Sequence, residues 1–156
     1  MEVYQEKDVP IKQAVPNETV WLDELKIEFL APLQIYDTMN NNSVVVKLTY
    51  GDTSFLMMGD AEKEEEQDLL NSGANLQADV IKIGHHGSKT STTQEFLNAV
   101  QPDMAVISVG PDKNELPKSE VLQRLEASNV KTYRTDSSGT VIFMSDGADI
   151  TVATEQ

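Results

Sequence analysis

The chain has 156 residues, 39% of them hydrophobic, a formal net charge of −14 and no cysteine. A chain of this length and composition folds as one globular domain with a core of its own. The absence of cysteine excludes disulfides, thiolate metal sites and a cysteine nucleophile. The acidic balance argues against direct nucleic-acid binding, for which proteins use a basic surface. No apolar run approaches the ~20 residues of a transmembrane helix, so we expect no transmembrane segment in this chain.

Hydrophobic patterning predicts strands first, then strands that alternate with helices. Residues 1–18 show no clear period and predict an irregular N-terminal arm, and residues 19–156 predict the domain. The predicted strands lie at 19–22, 25–30, 43–50, 54–58, 80–83, 104–109, 130–134, 140–144 and 149–152. The predicted helices lie at 61–72, at 92–100 behind Ser91 or Thr92 as a cap, and at 119–128, and a turn is predicted at 135–139.

This order of elements is typical of an α/β or α+β layered fold, with a sheet that carries helices on one face. Only about three helices are available to cover long apolar strands. We therefore expect one face of the sheet to lack a partner within the chain.

Asp60 follows the buried strand at 54–58 and directly precedes a predicted helix. Taken alone, a carboxylate in this place is best explained as the N-cap of a helix that begins at Ala61.

His85 and His86 are the only histidines of the chain, and they stand between Gly84 and Gly87. Adjacent strand residues point to opposite faces, but a turn after Gly84 could bring both rings toward one pocket. Ligands tend to bind at such strand ends in α/β sheets. An ordinary loop with one packed and one solvated histidine fits the residue types equally well.

Asp60 and the two histidines, considered together, favour a binding site over these separate explanations. If the strands at 54–58 and 80–83 are neighbours, their ends lie about 5 Å apart, and Asp60 meets the two histidines at one edge of the sheet. Aspartate with histidine is a ligand set suited to zinc, manganese or iron. The hydroxyls that follow, Ser88 and Ser91 among them, are typical loop and capping groups that could also hold a phosphate.

Four segments together resemble a known family: "NNNSVVVKLTYGDTSFLMMGDAEKEEE", "ADVIKIGHHGSKTST", "QPDMAVISVG" and "YRTDSSGTVIF". They resemble the C-terminal half of a metallo-β-lactamase-fold hydrolase domain, and more narrowly the domain of ComEC-type DNA-uptake competence proteins. The resemblance implies an αββα sandwich of two similar halves, with zinc or manganese at the sheet edges. It also implies metal-activated water that attacks a phosphodiester, and a membrane-associated parent with this domain outside the cytoplasm.

The resemblance also implies roles for individual residues. Asp60 corresponds to the metal-bridging aspartate, and the histidine pair supplies one metal ligand and one group that faces the substrate phosphate. We assign His85 to the metal and His86 to catalysis, although the resemblance leaves their order open. Ser88 and Ser91 are the predicted substrate contacts.

Two departures from the family pattern reduce the expected activity. The H-x-[HD]-x-D-H cluster that supplies most ligands is absent, and Leu116 stands where the family has a further ligand histidine. A catalytic zinc takes about three protein ligands and a water, so this chain holds half a site at best. We expect Met1 to be a boundary within a longer domain, and two copies to pair through the open sheet face. We also expect the chain alone to be inactive and to hold little or no metal.

Three hypotheses follow from these features. The first is a fragment of a metal-dependent phosphodiesterase or nuclease, with DNA or another phosphodiester as the parent's substrate. The second is a non-catalytic interaction domain that keeps the fold. The third is a hydrolase similar to phosphorylcholine esterases.

Overall fold

The computed structural model describes Lys7, Pro10, residues 12–110 and residues 115–155. Half of the predicted N-terminal arm lies outside the described residues. Residues 12–18 form loop and turn, and the first strand begins at Thr19. The division of the chain into an arm and a domain stays a prediction.

Seven strands form one mixed sheet, and they follow one another in chain order. The first four strands pair antiparallel and the last three are added in parallel, so the sheet changes direction at the fourth strand. The strands are β1 (Thr19–Leu22), β2 (Leu25–Ala31), β3 (Val45–Tyr50), β4 (Thr53–Met57), β5 (Val80–Lys82), β6 (Met104–Ile107) and β7 (Lys131–Arg134). This confirms the predicted layered fold with a mixed sheet.

The helices lie close to their predicted places, although the first two begin two residues later than predicted. They are α1 (Lys63–Asn71), α2 (Gln94–Val100), α3 (Ser119–Ala127) and the single turn α4 (Thr135–Ser138), which replaces the predicted turn. The predicted cap of α2 is wrong, because the side chain of Thr93, not of Ser91 or Thr92, accepts the hydrogen bond from the helix. None of the helices in the described residues has the length and apolarity that crossing a bilayer requires.

The hydrophobic core lies between the helices and one face of the sheet. Every second residue of a strand points to the face that the helices cover, and these residues pack against the apolar sides of the helices. The central members of this core are Leu56, Ile81, Ala105 and Ile107 from the strands and Leu69, Phe96, Leu97, Val121 and Leu125 from the helices.

The opposite face of the sheet is covered in part. A separate hairpin of β8 (Thr140–Ser145) and β9 (Ile150–Glu155) packs there. The ring of Phe143 lies 6.3 Å from that of Phe55 and 5.6 Å from that of Tyr133. The hairpin leaves an apolar groove of about 520 Å³ along β2 to β6. The expectation of an uncovered face is therefore correct only for part of that face.

One buried group on α1 has no hydrogen-bond partner. Glu65 is fully buried, and neither of its carboxylate oxygens is bonded. Burial, with the nearby charges of Asp68 and Glu66, raises the pKa of Glu65 from 4.5 to about 8. An ionised carboxylate in this place would be costly, so the folded protein holds Glu65 in its neutral form at neutral pH.

We predict that Glu65 makes the protein less stable as the pH rises. The folded-state pKa is above the unfolded value, so the stabilising proton is fully present below about pH 4.5 and lost as the pH rises toward 8. Between pH 5 and pH 8 the free energy of unfolding should fall by about 3 kcal/mol more in the wild type than in Glu65→Met. Urea unfolding measures this difference. Glu126→Met, at an exposed position of α3, should follow the wild type.

Candidate metal centre

The candidate site is built where β4 and β5 end side by side. The two strands are parallel neighbours with Met57 opposite Lys82, which meets the condition on which the predicted site depended. Beyond the last paired residues the backbone N–H of His85 still donates to the carbonyl of Gly59, at 3.1 Å. This bond fixes the start of the histidine turn against the residue that precedes Asp60.

The turn at Gly84–Gly87 runs through the left-handed region of backbone space. His85 has a φ of 44° and His86 a φ of 53°. Such a conformation costs a non-glycine residue roughly 1–2 kcal/mol, so it persists only where the surroundings enforce it. A Cβ at Gly84 would lie 2.7 Å from the carbonyl oxygen of Ala61, which shows how closely the two strand ends approach.

Asp60 does not cap a helix. Helix α1 begins at Lys63, and Glu62 occupies the N-cap position. The interpretation of Asp60 as the N-cap of a helix that begins at Ala61 is therefore wrong. Its backbone N–H donates to Oγ of Ser43 at 2.9 Å, and its side chain is 45% exposed. The backbone of Asp60 is held in place, and its carboxylate is open to a ligand.

His86 is the histidine that lies next to Asp60. Its Nδ1 is 2.6 Å from the carbonyl oxygen of Ser108, and its Nε2 is 3.5 Å from Oδ1 of Asp60. A carbonyl can only accept, so Nδ1 carries a hydrogen, and in the neutral ring Nε2 is the nitrogen with the lone pair, on the side of Asp60. A backbone carbonyl behind Nδ1 is a common support for a metal-binding histidine.

His85 has a different partner. Its Nδ1 lies 2.9 Å from Oε1 of Glu62, which also accepts a 2.6 Å hydrogen bond from Thr90. Burial alone would raise the pKa of Glu62, but hydrogen bonds from Thr90, His85 and Asn40 outweigh it and hold the pKa below its ordinary value. The ring centroids of His85 and His86 are 6.4 Å apart. The turn thus presents two imidazoles with separate supports.

The two predicted substrate contacts support the turn itself. Oγ of Ser88 shares a 2.9 Å hydrogen bond with Thr90. Ser91 is fully buried, and its hydroxyl donates to the carbonyl of Gly84 at 2.8 Å. A role of either serine in substrate binding stays a prediction.

The residues present fit one side of a metal site. Asp60 and His86 offer an oxygen and a nitrogen ligand, whereas a catalytic zinc takes about three protein ligands. Within the described ranges, no group of three or more histidine, aspartate or glutamate side chains is placed to hold a metal ion. Leu116 packs against the hydrophobic core and offers no donor.

Several residues around the site were missed by the sequence analysis. The loop at Asn40–Asn42 was assigned no part in the site, although Asn41 is buried and Oγ of Ser43 accepts a hydrogen bond from the backbone N–H of Asp60. Lys82, on the groove face of the sheet, is also close: burial lowers its pKa and the charge of Asp60 opposes that shift. Three consecutive asparagines before a strand indicate a loop that is ordered by side-chain hydrogen bonds. Nothing local indicated its partners, because these contacts join residues far apart in the chain.

Comparison with known proteins finds similar sequences over most of the chain. The family model of the metallo-beta-lactamase superfamily matches residues 3–110. The chain is 36% identical over 146 residues to the ComE operon protein 3 of Bacillus subtilis, covering 92% of this chain and 19% of that protein. It is 37% identical over 124 residues to the competence protein ComA of Neisseria gonorrhoeae, covering 78% and 18%. The chain thus spans about a fifth of the length of these relatives.

The fold also resembles a solved structure. CmlA, a diiron beta-hydroxylase from Streptomyces venezuelae, superposes with a TM-score of 0.54 at 11% identity, over 78% of this chain and 32% of that one. At this identity the likeness concerns the fold alone.

We predict that Gly84→Ala destabilises the protein by about 1–3 kcal/mol, because the added methyl group would meet the carbonyl oxygen of Ala61 at 2.7 Å and push the two strand ends apart. Gly110→Ala is the matched control, since a Cβ there meets no atom of the described residues within 4 Å. Urea unfolding of both variants measures the difference. Equal stabilities would show that the strand ends are not packed so closely.

Proposed function

The chain belongs to the metallo-β-lactamase superfamily and, within it, to the ComEC-type competence family, and from this premise we propose that it forms the C-terminal half of a metal-dependent phosphodiesterase domain. The observation that supports this proposal most directly is the pair of Asp60 Oδ1 and His86 Nε2, 3.5 Å apart at the ends of two parallel strands. The carbonyl of Ser108 keeps the lone pair of His86 on the side of the carboxylate.

In this proposal the roles of the two histidines are the reverse of those assigned from the sequence. His86 is the metal ligand with Asp60, because its free nitrogen faces the carboxylate. His85 is the group that faces the substrate phosphate, because its ring stands 6.4 Å away with its own carboxylate partner. A basic nitrogen with a carboxylate behind it is suited to hold or move a proton at a phosphate oxygen.

The metal of the proposed site is zinc or manganese, both of which accept aspartate and histidine ligands. When bound, such an ion supplies a nucleophilic water at neutral pH and a positive charge for the phosphate. The remaining ligands would come from residues outside this chain, and the chain alone would hold the ion weakly and be inactive.

The substrate class of the proposed domain is a phosphodiester, with DNA as one candidate. The formal charge of −14 would repel a nucleic-acid backbone. This chain would therefore contribute metal ligands and not the surface that binds a long nucleic acid. A smaller phosphodiester, such as a phosphorylcholine ester, would meet less repulsion.

A second candidate is a non-catalytic interaction domain. Leu116 in place of a ligand, and the lack of three grouped ligands among the described residues, favour it. The two candidates differ in whether Asp60 and His86 bind a metal ion together.

We predict that zinc added to the purified chain is bound through Asp60 and His86. In a nitrogen-15 correlation spectrum of the imidazole rings, Nε2 of His86 should shift on titration while its Nδ1–H to Ser108 remains. Asp60→Ala and His86→Ala should each weaken binding at least tenfold, because each removes one of two ligands. His85→Ala, in the same turn, should leave the affinity within about twofold of the wild type, since His85 is not paired with Asp60.

Two results would contradict the proposed site. If zinc shifts no signal of His86, the non-catalytic candidate is preferred. If His85→Ala abolishes binding and His86→Ala does not, the assignment made from the sequence is the better one.

We also predict that two copies associate through the part of the sheet that the hairpin leaves open. This open face carries Val20, Leu22, Ile27, Phe29, Val46, Leu48 and Met57, none of which is fully buried. Burial of an apolar patch favours association, and the acidic surface opposes it. Light scattering at micromolar concentration should therefore detect a dimer that strengthens with salt, and a clean monomer at high salt would exclude it. Val20→Lys should abolish the dimer, whereas Ile35→Lys, 92% exposed outside this face, should not.

A further inference from the structure

The two imidazoles differ in what holds the nitrogen that points into the protein. Nδ1 of His86 meets a backbone carbonyl, whereas Nδ1 of His85 lies 2.9 Å from Oε1 of Glu62. We propose that Glu62 is the positioning residue of His85, which keeps the ring hydrogen on Nδ1 and turns Nε2 toward the site. This inference rests on the proposed function, in which His85 faces the substrate phosphate.

The carboxylate of Glu62 is not used to start the helix. Glu62 occupies the N-cap position of α1, but its side chain makes no capping hydrogen bond. Oε1 instead accepts from Thr90 at 2.6 Å and contacts His85. At most N-caps the side chain serves the first turn of the helix. Here it serves the turn that carries the histidines.

Glu62 is itself fixed by the loop before β3. Its backbone N–H donates to Oδ1 of Asn41 at 3.0 Å. Asn41 is 2% exposed, and its Nδ2 donates to Oε2 of Glu64 at 3.0 Å. Since Thr90 holds the side chain and Asn41 the backbone, the carboxylate has one available direction. A positioning group needs such support from its own neighbours.

The hydrogen-bond inventory allows one tautomer of His85. Nδ2 of Asn40 lies 3.4 Å from Nδ1 of His85, but an amide nitrogen can only donate. Nδ1 faces the carboxylate at the shorter distance, so it donates to Glu62, and the amide of Asn40 also hydrogen-bonds Glu62. In the neutral ring Nε2 is then the nitrogen that keeps the lone pair. The side chain of His85 is 28% exposed.

The experiment is a nitrogen-15 correlation spectrum of the imidazole rings in the intact chain at pH 8, without metal. The wild type should show His85 with a protonated Nδ1. In Glu62→Met, which removes the acceptor and keeps the chain length, that Nδ1–H signal should be lost and the ring should average between tautomers. Glu62→Gln retains an acceptor oxygen and should restore the Nδ1–H signal.

Two controls separate positioning from a general disturbance of the loop. Glu64→Met removes the other carboxylate bonded to the loop, does not touch His85, and should leave its signals unchanged. The His86 signals should not move in any variant, because its Nδ1 is held by Ser108. A wild-type spectrum with His85 protonated at Nε2 would overturn the inference whether or not the variants fold. Signals of His85 that do not change in a folded Glu62→Met would also overturn it.

A zinc titration of the same samples keeps this inference distinct from the proposed function. If zinc shifts His86 in the wild type while Glu62→Met leaves His85 unchanged, the metal site stands and the positioning role fails. If zinc shifts neither histidine while Glu62→Met changes the tautomer of His85, the positioning role stands and the metal site fails.

Discussion

The parallel pairing of β4 with β5 is the constraint on which the site depends. Residues of the two strands are in register from Phe55 opposite Val80 onward, and the hydrogen bond from His85 to the carbonyl of Gly59 extends this register beyond the last paired residues. Parallel strands place their C-terminal ends at one edge, so a carboxylate after one strand and an imidazole after the next must meet there. The left-handed turn then carries both rings to that edge at a cost in backbone strain.

The acceptors behind the two imidazoles differentiate two chemically identical side chains. A neutral carbonyl behind His86 leaves a lone pair, which is what a metal ligand needs. A carboxylate behind His85 accepts the hydrogen of Nδ1 and orients the ring, so that Nε2 is the nitrogen that would face a phosphate in the proposed function. Glu62 can do this because three hydrogen bonds keep its pKa low in spite of its burial. Glu65, three residues further along the chain, is buried without any hydrogen-bond partner, and its pKa is raised to about 8. The directions differ because Glu62 accepts three hydrogen bonds, whereas Glu65 accepts none, is more deeply buried and lies near the charges of Asp68 and Glu66.

The sequence predicted what depends on local pattern. Apolar runs placed every strand to within a few residues, and the order of elements gave the layered fold. It predicted the start of α3 at Ser119 but placed the starts of α1 and α2 two residues too early. Taken alone, Asp60 was explained as a helix cap, and only its combination with the histidines indicated a metal ligand. The roles of Asn41, Ser43 and Ser108 depend on contacts between residues 17 to 22 positions apart, which a single sequence does not encode as a pattern.

The incomplete metal site at Asp60 and His86 lies next to the open face of the sheet. Strands β4 and β5 carry Asp60 and the histidines beyond their C-terminal ends, and they carry Phe55, Met57 and Lys82 on the face that borders the groove. Among the described residues that line this groove, Lys82 is the one with a charged side chain. A partner that packs on the open face would therefore reach the strand ends and bring its own side chains to Asp60 and His86. In the proposed function, a partner packed on the open face would bury the apolar surface and also complete the metal site. The free energy gained by burying this face would then help to hold the metal ligands in place at the strand ends.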